Sequence, residues 1–72
     1  MGVLEDLADS LAADAIEAAE TLGNDDILEE VAKQLGATSQ TMEENYRTSL
    51  RVRLAERRAR RFLTSRLASL DG

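Results

Sequence analysis

The chain has 72 residues and a net charge of −5, and it contains no histidine, cysteine or proline. A domain this small buries only a thin core, and self-association is a common way to stabilise one. Without histidine and cysteine the chain lacks imidazole bases, thiolate nucleophiles, disulfides and the usual zinc ligands. We therefore expect a protein that is not an enzyme and has no catalytic residue, cofactor or metal site.

The N-terminal segment and the hydropathy of the chain indicate a location. No apolar run approaches the roughly 18 residues that a membrane-spanning helix needs. The first residues include Glu5 and Asp6, whereas a signal peptide begins with basic residues. The sequence therefore predicts a cytoplasmic protein without a membrane partner.

Acidic and basic side chains are divided along the chain. Residues 1–45 contain twelve acidic side chains and one lysine, whereas residues 46–72 contain eight arginines and two acidic side chains. In one interpretation the acidic half packs along the Arg-rich half and neutralises it. In the other, the arginines stay exposed for phosphate or for an acidic partner. A combined form, in which the acidic first helix masks the arginines until a partner displaces it, also stays open.

The apolar pattern predicts an all-α fold with three helices in a single domain, residues 1–72. The first helix covers residues 3–22, and Gly23 ends it in the left-handed conformation. The second covers residues 26–35, with Asn24 or Asp25 as its cap and Gly36 at its end. The apolar stripe of the first helix is Leu4, Ala8, Leu11, Ala15, Ala18 and Leu22, widened by Leu7, Ala12, Ile16 and Ala19.

The third predicted helix covers residues 39–70, and its start is left open between a cap at Thr38 and a capping box of Thr41 with Glu44. At about 100° per residue it carries two separate apolar faces. The first face consists of Met42, Tyr46, Leu50 and Leu54. The second face consists of Val52, Ala55, Ala59, Phe62, Leu63, Leu67 and Leu70.

Two apolar faces are more than one small bundle needs. Either the third helix bends near residues 50–55, or its two halves pack against different things. We favour the second interpretation, in which the bundle is completed by self-association. The residues predicted at the contact with another copy or a partner are Ala59, Phe62, Leu63 and Leu67. The residues predicted to contact a polyanion or an acidic partner are Arg47, Arg51, Arg57, Arg58, Arg60 and Arg61.

A small residue, a glycine and an apolar residue recur around the predicted turn before the third helix. They are Ala32, Gly36 and Met42, with spacings of four and six residues. In this pattern residues 27–47 resemble a helix-turn-helix motif. The resemblance implies a positive φ at the turn and a third helix that enters the DNA major groove. The side chains that would then face DNA are Thr38, Ser39, Gln40 and Arg47.

Two functions therefore follow from the sequence. The first is a helical interaction module that forms a homo-oligomer and docks a protein partner through its Arg-rich third helix. The second is a nucleic-acid binder, either a helix-turn-helix regulator or a small packaging or accessory protein. The two differ in salt response, because binding to DNA through several arginines weakens steeply as salt rises.

Overall fold

The structure, a computed structural model, describes residues 2–71 and contains three helices and no strand within that range. Helix α1 is Val3–Leu22, α2 is Asp26–Gly36 and α3 is Gln40–Asp71. The predicted all-α class is confirmed, and the helix ends agree with the prediction to within one residue. Met1 and Gly72, which the predicted domain includes, lie outside the described residues.

The end of α1 and the start of α2 are set by two neighbouring residues. Gly23 has φ 67° and ψ 29°, the left-handed conformation that glycine adopts without a steric penalty. The backbone N–H of Asn24 donates to the carbonyl of Ala19 at 3.1 Å. The side-chain Oδ1 of Asn24 accepts from the N–H of Asp26 at 2.9 Å, so Asn24 provides the side-chain cap for α2.

The turn between α2 and α3 differs from the predicted one. Ser39 is the cap of α3, because its Oγ accepts from the N–H of Met42 at 3.1 Å. The positive φ expected at Gly36 is wrong, since Gly36 is the last residue of α2 and Gly23 is the one residue in the described range with positive φ. Space explains the glycine better: a Cβ at Gly36 would lie 2.5 Å from Oε1 of Glu43.

The buried core is lined mainly by small side chains of α1. Tyr46 of α3 is fully buried against them and is the largest side chain in the core. Its hydroxyl donates to the carbonyl of Leu28 in α2 at 2.8 Å, so one side chain ties all three helices together. The alanines leave room for the close approach that a large aromatic ring between helices requires. The buried residues of α1 and α2 are Ala8, Ala12, Ala15, Ile16, Ala19 and Ala32.

Two leucines of the predicted α1 stripe are outside this core. Leu7 is 56% exposed and Leu22 is 64% exposed. The core is therefore centred on Ala8, Ala12, Ala15 and Ala19, and the prediction that the buried face extends to Leu7 and Leu22 is wrong. The short alanine side chains let the facing helix approach α1 closely. The leucines at the flanks of that contact are left without a side chain to pack against.

The helices differ greatly in length. At about 1.5 Å per residue, the 32 residues of α3 extend about 48 Å, whereas the 20 residues of α1 extend about 30 Å. The whole molecule measures 51 × 29 × 13 Å, so its longest dimension is essentially that of an unbroken α3. From residue 58 to residue 70 every residue of α3 is exposed. The C-terminal part of α3 therefore projects beyond the bundle.

Candidate interaction surface

The two predicted faces of α3 lie in different surroundings. Tyr46 is buried, and Met42 and Leu50 pack against the core beside it. Leu54 is half-buried and lines a cleft with Ile16 and Ala19 of α1. The first apolar face of α3 is thus the one that the bundle covers.

The second apolar face is uncovered. We call its large and central members, Val52, Ala59, Phe62, Leu63, Leu67 and Leu70, the α3 stripe. The exposed fraction is 64% for Val52, 66% for Phe62, 56% for Leu63, 57% for Leu67 and 81% for Leu70. All four residues predicted at a self-association contact belong to the α3 stripe, and all four are exposed.

The position of the α3 stripe on the helix explains why the bundle leaves it bare. Val52 and Leu70 are 18 residues apart, which is five full turns, so they share one angular position. Leu50 and Leu54 each lie about 160° from that position at 100° per residue. Since Leu50 and Leu54 face the bundle, the α3 stripe points directly away from it. Because α1 packs on the Leu50 and Leu54 side of α3, it does not cover the opposite side.

Ion pairs join α3 to the acidic helices. Nε and Nη2 of Arg53 donate to the two carboxylate oxygens of Asp9 at 2.8 and 2.7 Å. Arg57 pairs with Glu20, near the C-terminal end of α1. The paired residues come in the same order along α1 and along α3, and Glu20 lies close to the last residue of α1.

A second cluster of charges joins α2 to the start of α3. Nη1 and Nη2 of Arg47 each donate to a carboxylate oxygen of Glu29 at 2.8 Å. Nε of Arg47 donates to Oε2 of Glu43 at 3.0 Å. A planar guanidinium held by two carboxylates in this way is fixed in direction as well as neutralised.

These contacts shift the pKa values of the groups involved. The hydrogen bond from Arg53 holds the pKa of the Asp9 carboxyl below its ordinary value, and the hydrogen bonds from Arg47 do the same to the pKa of Glu29. The same bonds raise the pKa of Arg47 and of Arg53. Burial raises the pKa of the Tyr46 hydroxyl. Asp9, Glu29, Arg47 and Arg53 are therefore charged, and Tyr46 neutral, at neutral pH.

The arginines predicted to contact a polyanion divide into two groups. Arg47 and Arg57 are paired across helices, and Arg60 pairs with Glu56 one turn earlier in α3, with Nε donating at 2.7 Å. Among the side chains that the structure describes, the remaining arginines form no ion pair with an acidic group. We call them the unpaired arginines: Arg51, Arg58 and Arg61. The predicted neutralisation of the Arg-rich half by the acidic half is thus partial.

An open groove lies where the end of α1 separates from α3. Glu20 forms its α1 side, and Arg57, Arg60 and Arg61 line the α3 side. Thr64 and Ser65 continue the groove toward the C-terminal part of α3. Glu56 also lines the groove, which therefore presents guanidinium groups, hydroxyls and carboxylates.

The residues that would face DNA are held in local contacts. Ser39 uses its hydroxyl to cap α3, and the Thr38 hydroxyl is directed at the carbonyl of Leu35 at 3.5 Å. Arg47 is fixed by Glu29 and Glu43, as described above. Gln40 is exposed at the first turn of α3. Ala32 is buried between the helices, as the helix-turn-helix resemblance implies, but acidic groups surround the one basic side chain of the set.

Three further observations bear on the kind of surface this is. Within residues 2–71, no group of three or more acidic side chains is arranged to hold a metal ion. Over the same range, none of the helices combines the length and apolarity of a bilayer-spanning segment. Comparison with protein-family models, curated proteins and solved structures gives no significant match to the chain.

Proposed function

We propose that this protein is a helical interaction module that self-associates through the α3 stripe and docks an acidic protein partner through its unpaired arginines. The observation that carries the proposal is the exposure of Phe62, Leu63 and Leu67 on the side of α3 opposite the bundle. Isolated apolar side chains on a surface are ordinary, but a continuous row along one helix marks an interaction site.

The marginal stability expected of the projecting segment, residues 58–70, supports packing of another molecule on the α3 stripe. An isolated helix of fewer than about 12–15 residues is marginal in water, because its hydrogen bonds barely offset the cost of ordering the backbone. Residues 58–70 form three to four turns in which every residue is exposed. Packing of an apolar face is the usual source of stability for such a segment. A second copy of the chain supplies such an apolar face, namely its own α3 stripe.

The charges support the second half of the proposal. The chain is acidic overall, and Arg51, Arg58 and Arg61 nevertheless present a local basic surface. Guanidinium groups bind carboxylates through two parallel hydrogen bonds, as Arg53 does with Asp9 in this molecule. An acidic segment of a partner protein is therefore the occupant we assign to the unpaired arginines.

Light scattering on the purified chain tests self-association. One chain has a mass of 7.9 kDa, and the proposal requires a larger mass at micromolar to millimolar concentration. Leu63→Glu places a charge in the α3 stripe and is expected to return the mass to that of one chain. Ser65→Glu is the matched control, because it adds the same charge two residues away and off the stripe. A monomeric wild-type chain would end the proposal.

Binding of poly-glutamate at low salt tests the basic surface. The double variant Arg58→Ala with Arg61→Ala is expected to lose binding, whereas Arg60→Ala, whose guanidinium is already paired with Glu56, is expected to keep it. A random DNA duplex is titrated in parallel. Binding to the duplex without binding to poly-glutamate would replace the interaction module with the nucleic-acid binder as the function.

A further inference from the structure

Four residues of the α3 stripe belong to a regular repeat that also includes two charged side chains. Steps of four and three residues connect one series of positions, as in the a and d positions of a coiled coil. We call this series the α3 seam: Val52, Glu56, Ala59, Leu63, Arg66 and Leu70. Its charged members, Glu56 and Arg66, stand one position in from either end. The seam thus carries opposite charges at places equally distant from its centre, which is near Arg61.

The middle of the seam contains a hollow. Glu56, Ala59, Arg60 and Leu63 line it, with the small side chain of Ala59 at its floor. These residues stand at positions i, i+3, i+4 and i+7 of the helix. Four residues at this spacing form the hole that receives one side chain of a partner helix in a coiled coil. The seam therefore carries a hollow at the spacing that receives one side chain of a partner helix.

We propose that α3 of a second copy lies antiparallel on the seam, related by a two-fold axis that passes beside Arg61. This inference rests on the proposed self-association and specifies its geometry. The partner's Leu63 then enters the hollow above Ala59, and symmetry places Leu63 of this chain in the partner's hollow. At either end Val52 meets the partner's Leu70. Between these layers, the Glu56 carboxylate, which already accepts from Arg60 of its own chain, also meets the partner's Arg66, twice in the dimer.

The same seam pairs poorly in parallel. A parallel dimer in register places Glu56 opposite the partner's Glu56 and Arg66 opposite the partner's Arg66. It also places Ala59 over the hollow, where a methyl group leaves the space unfilled. Juxtaposed like charges and an unfilled hollow both oppose assembly. Charge and side-chain size therefore select the antiparallel arrangement.

Phe62 has a defined place in this dimer. It stands one residue from the two-fold axis and beside the seam rather than on it. The antiparallel arrangement brings it next to the partner's Phe62 on one side of the dimer. An aromatic pair stabilises a complex by more than the burial of its surface alone. The exposed Phe62 side chain therefore has an aromatic partner in the antiparallel dimer.

Cysteine crosslinking tests the direction of pairing, since the chain has no native cysteine. In the antiparallel dimer two Val52 positions are about 27 Å apart, because 18 residues separate position 52 from position 70. Val52→Cys alone is therefore expected to form no disulfide under mild oxidation. An equimolar mixture of Val52→Cys and Leu70→Cys chains is expected to form the mixed disulfide between them.

The outcomes separate this inference from the proposed function. A wild-type chain that is monomeric in light scattering would remove both. An oligomer in which Val52→Cys crosslinks to itself, or in which the mixture yields no mixed disulfide, would overturn the antiparallel arrangement while leaving self-association in place. Mixed disulfide in the mixture with none in Val52→Cys alone supports the arrangement.

Charge exchange gives an independent readout in the full chain. Arg66→Glu places two acidic side chains opposite each other twice in the antiparallel dimer, and we expect the dissociation constant to rise by about tenfold or more. The double variant Glu56→Arg with Arg66→Glu restores opposite charges and is expected to recover most of the affinity. In a parallel dimer Arg66→Glu only exchanges one like-charge pair for another. An unchanged dissociation constant for Arg66→Glu would therefore overturn the inference.

Discussion

The two halves of α3 belong to one unbroken helix and have very different surroundings. The first half, residues 40–54, packs Tyr46 and Leu50 on the alanines of α1 and is tied to the acidic helices by Arg47 and Arg53. The second half, residues 55–71, continues as an unbroken helix with Phe62 and Leu67 exposed. The comparison teaches that the packing of one chain ends near Arg57, which pairs with Glu20, and that the residues beyond it form a surface.

Helix length produces this division. α1 ends at Leu22, so its reach along α3 ends near the pair between Glu20 and Arg57. α2 packs beside the start of α3, where Tyr46 donates to Leu28. Neither helix covers residues 58–70, all of which are exposed. Substitutions in the two halves are therefore expected to have effects of different kinds.

The largest expected effect is that of Tyr46→Ala in the packed half. Removing a fully buried aromatic side chain costs about 3–5 kcal/mol, which equals much of the stability of a domain this small. We expect the helical circular dichroism signal at 25 °C to fall sharply. Leu67→Ala is the matched change in the projecting half, and in dilute solution it should leave the urea midpoint unchanged. Equal destabilisation by both variants would contradict the division of α3.

A smaller effect is expected where α1 ends. Gly23→Ala forces a Cβ into the left-handed region and is expected to lower the free energy of unfolding by about 1 kcal/mol. Gly36→Ala is the control, because Gly36 is helical and only the mobile end of Glu43 has to move. Urea unfolding of both variants measures the difference. A greater loss for Gly36→Ala than for Gly23→Ala would contradict this assignment.

The Tyr46 hydroxyl allows a finer substitution in the packed half. Tyr46→Phe keeps the ring and removes the bond to the Leu28 carbonyl, with an expected loss of about 0.5–1.5 kcal/mol. Phe62→Leu in the projecting half keeps an apolar side chain and should not change the unfolding of dilute protein. Guanidinium unfolding followed by circular dichroism distinguishes the two. An unchanged midpoint for Tyr46→Phe would mean that the bond adds nothing to the packing.

The smallest expected effect is the pH dependence of the ion pairs. Asp9 and Glu29 have folded pKa values below their ordinary values of 3.8 and 4.5, so they stabilise the fold above those values. That stability is lost as pH falls through the lower, folded pKa values. We expect the thermal midpoint to decrease between about pH 5 and pH 2. The variant Asp9→Asn with Glu29→Gln should show a flatter profile, and an identical profile would contradict this assignment.

The sequence was sufficient for the helices and for the two faces of α3. Local signals, such as Gly23 after an apolar repeat, depend on neighbouring residues and were confirmed. The choice of Ser39 as the cap was not settled, because several hydroxyl residues stand close together before α3. The ion pair of Asp9 with Arg53 joins residues 44 apart, and no local pattern indicates it. The exposure of Leu7 and Leu22 depends on how closely α3 approaches the alanines, which is a property of packing.

The placement of the site residues was predictable in part. Periodicity put Phe62, Leu63 and Leu67 on a face away from Leu50, and the structure leaves that face exposed. Periodicity does not tell which arginines find acidic partners: Arg57 is paired with α1, whereas its neighbour Arg58 forms no ion pair among the described side chains. Self-association and partner binding stay predictions.

Amide hydrogen exchange at two protein concentrations tests most directly whether a second copy of the chain packs on the α3 stripe. The account predicts that residues 58–70 exchange rapidly in dilute protein and become protected as concentration rises, because a second copy then packs on them. Residues 42–50 should be equally protected at both concentrations. Exchange at residues 58–70 that is independent of concentration would contradict the account, since the projecting half of α3 would then gain nothing from another copy.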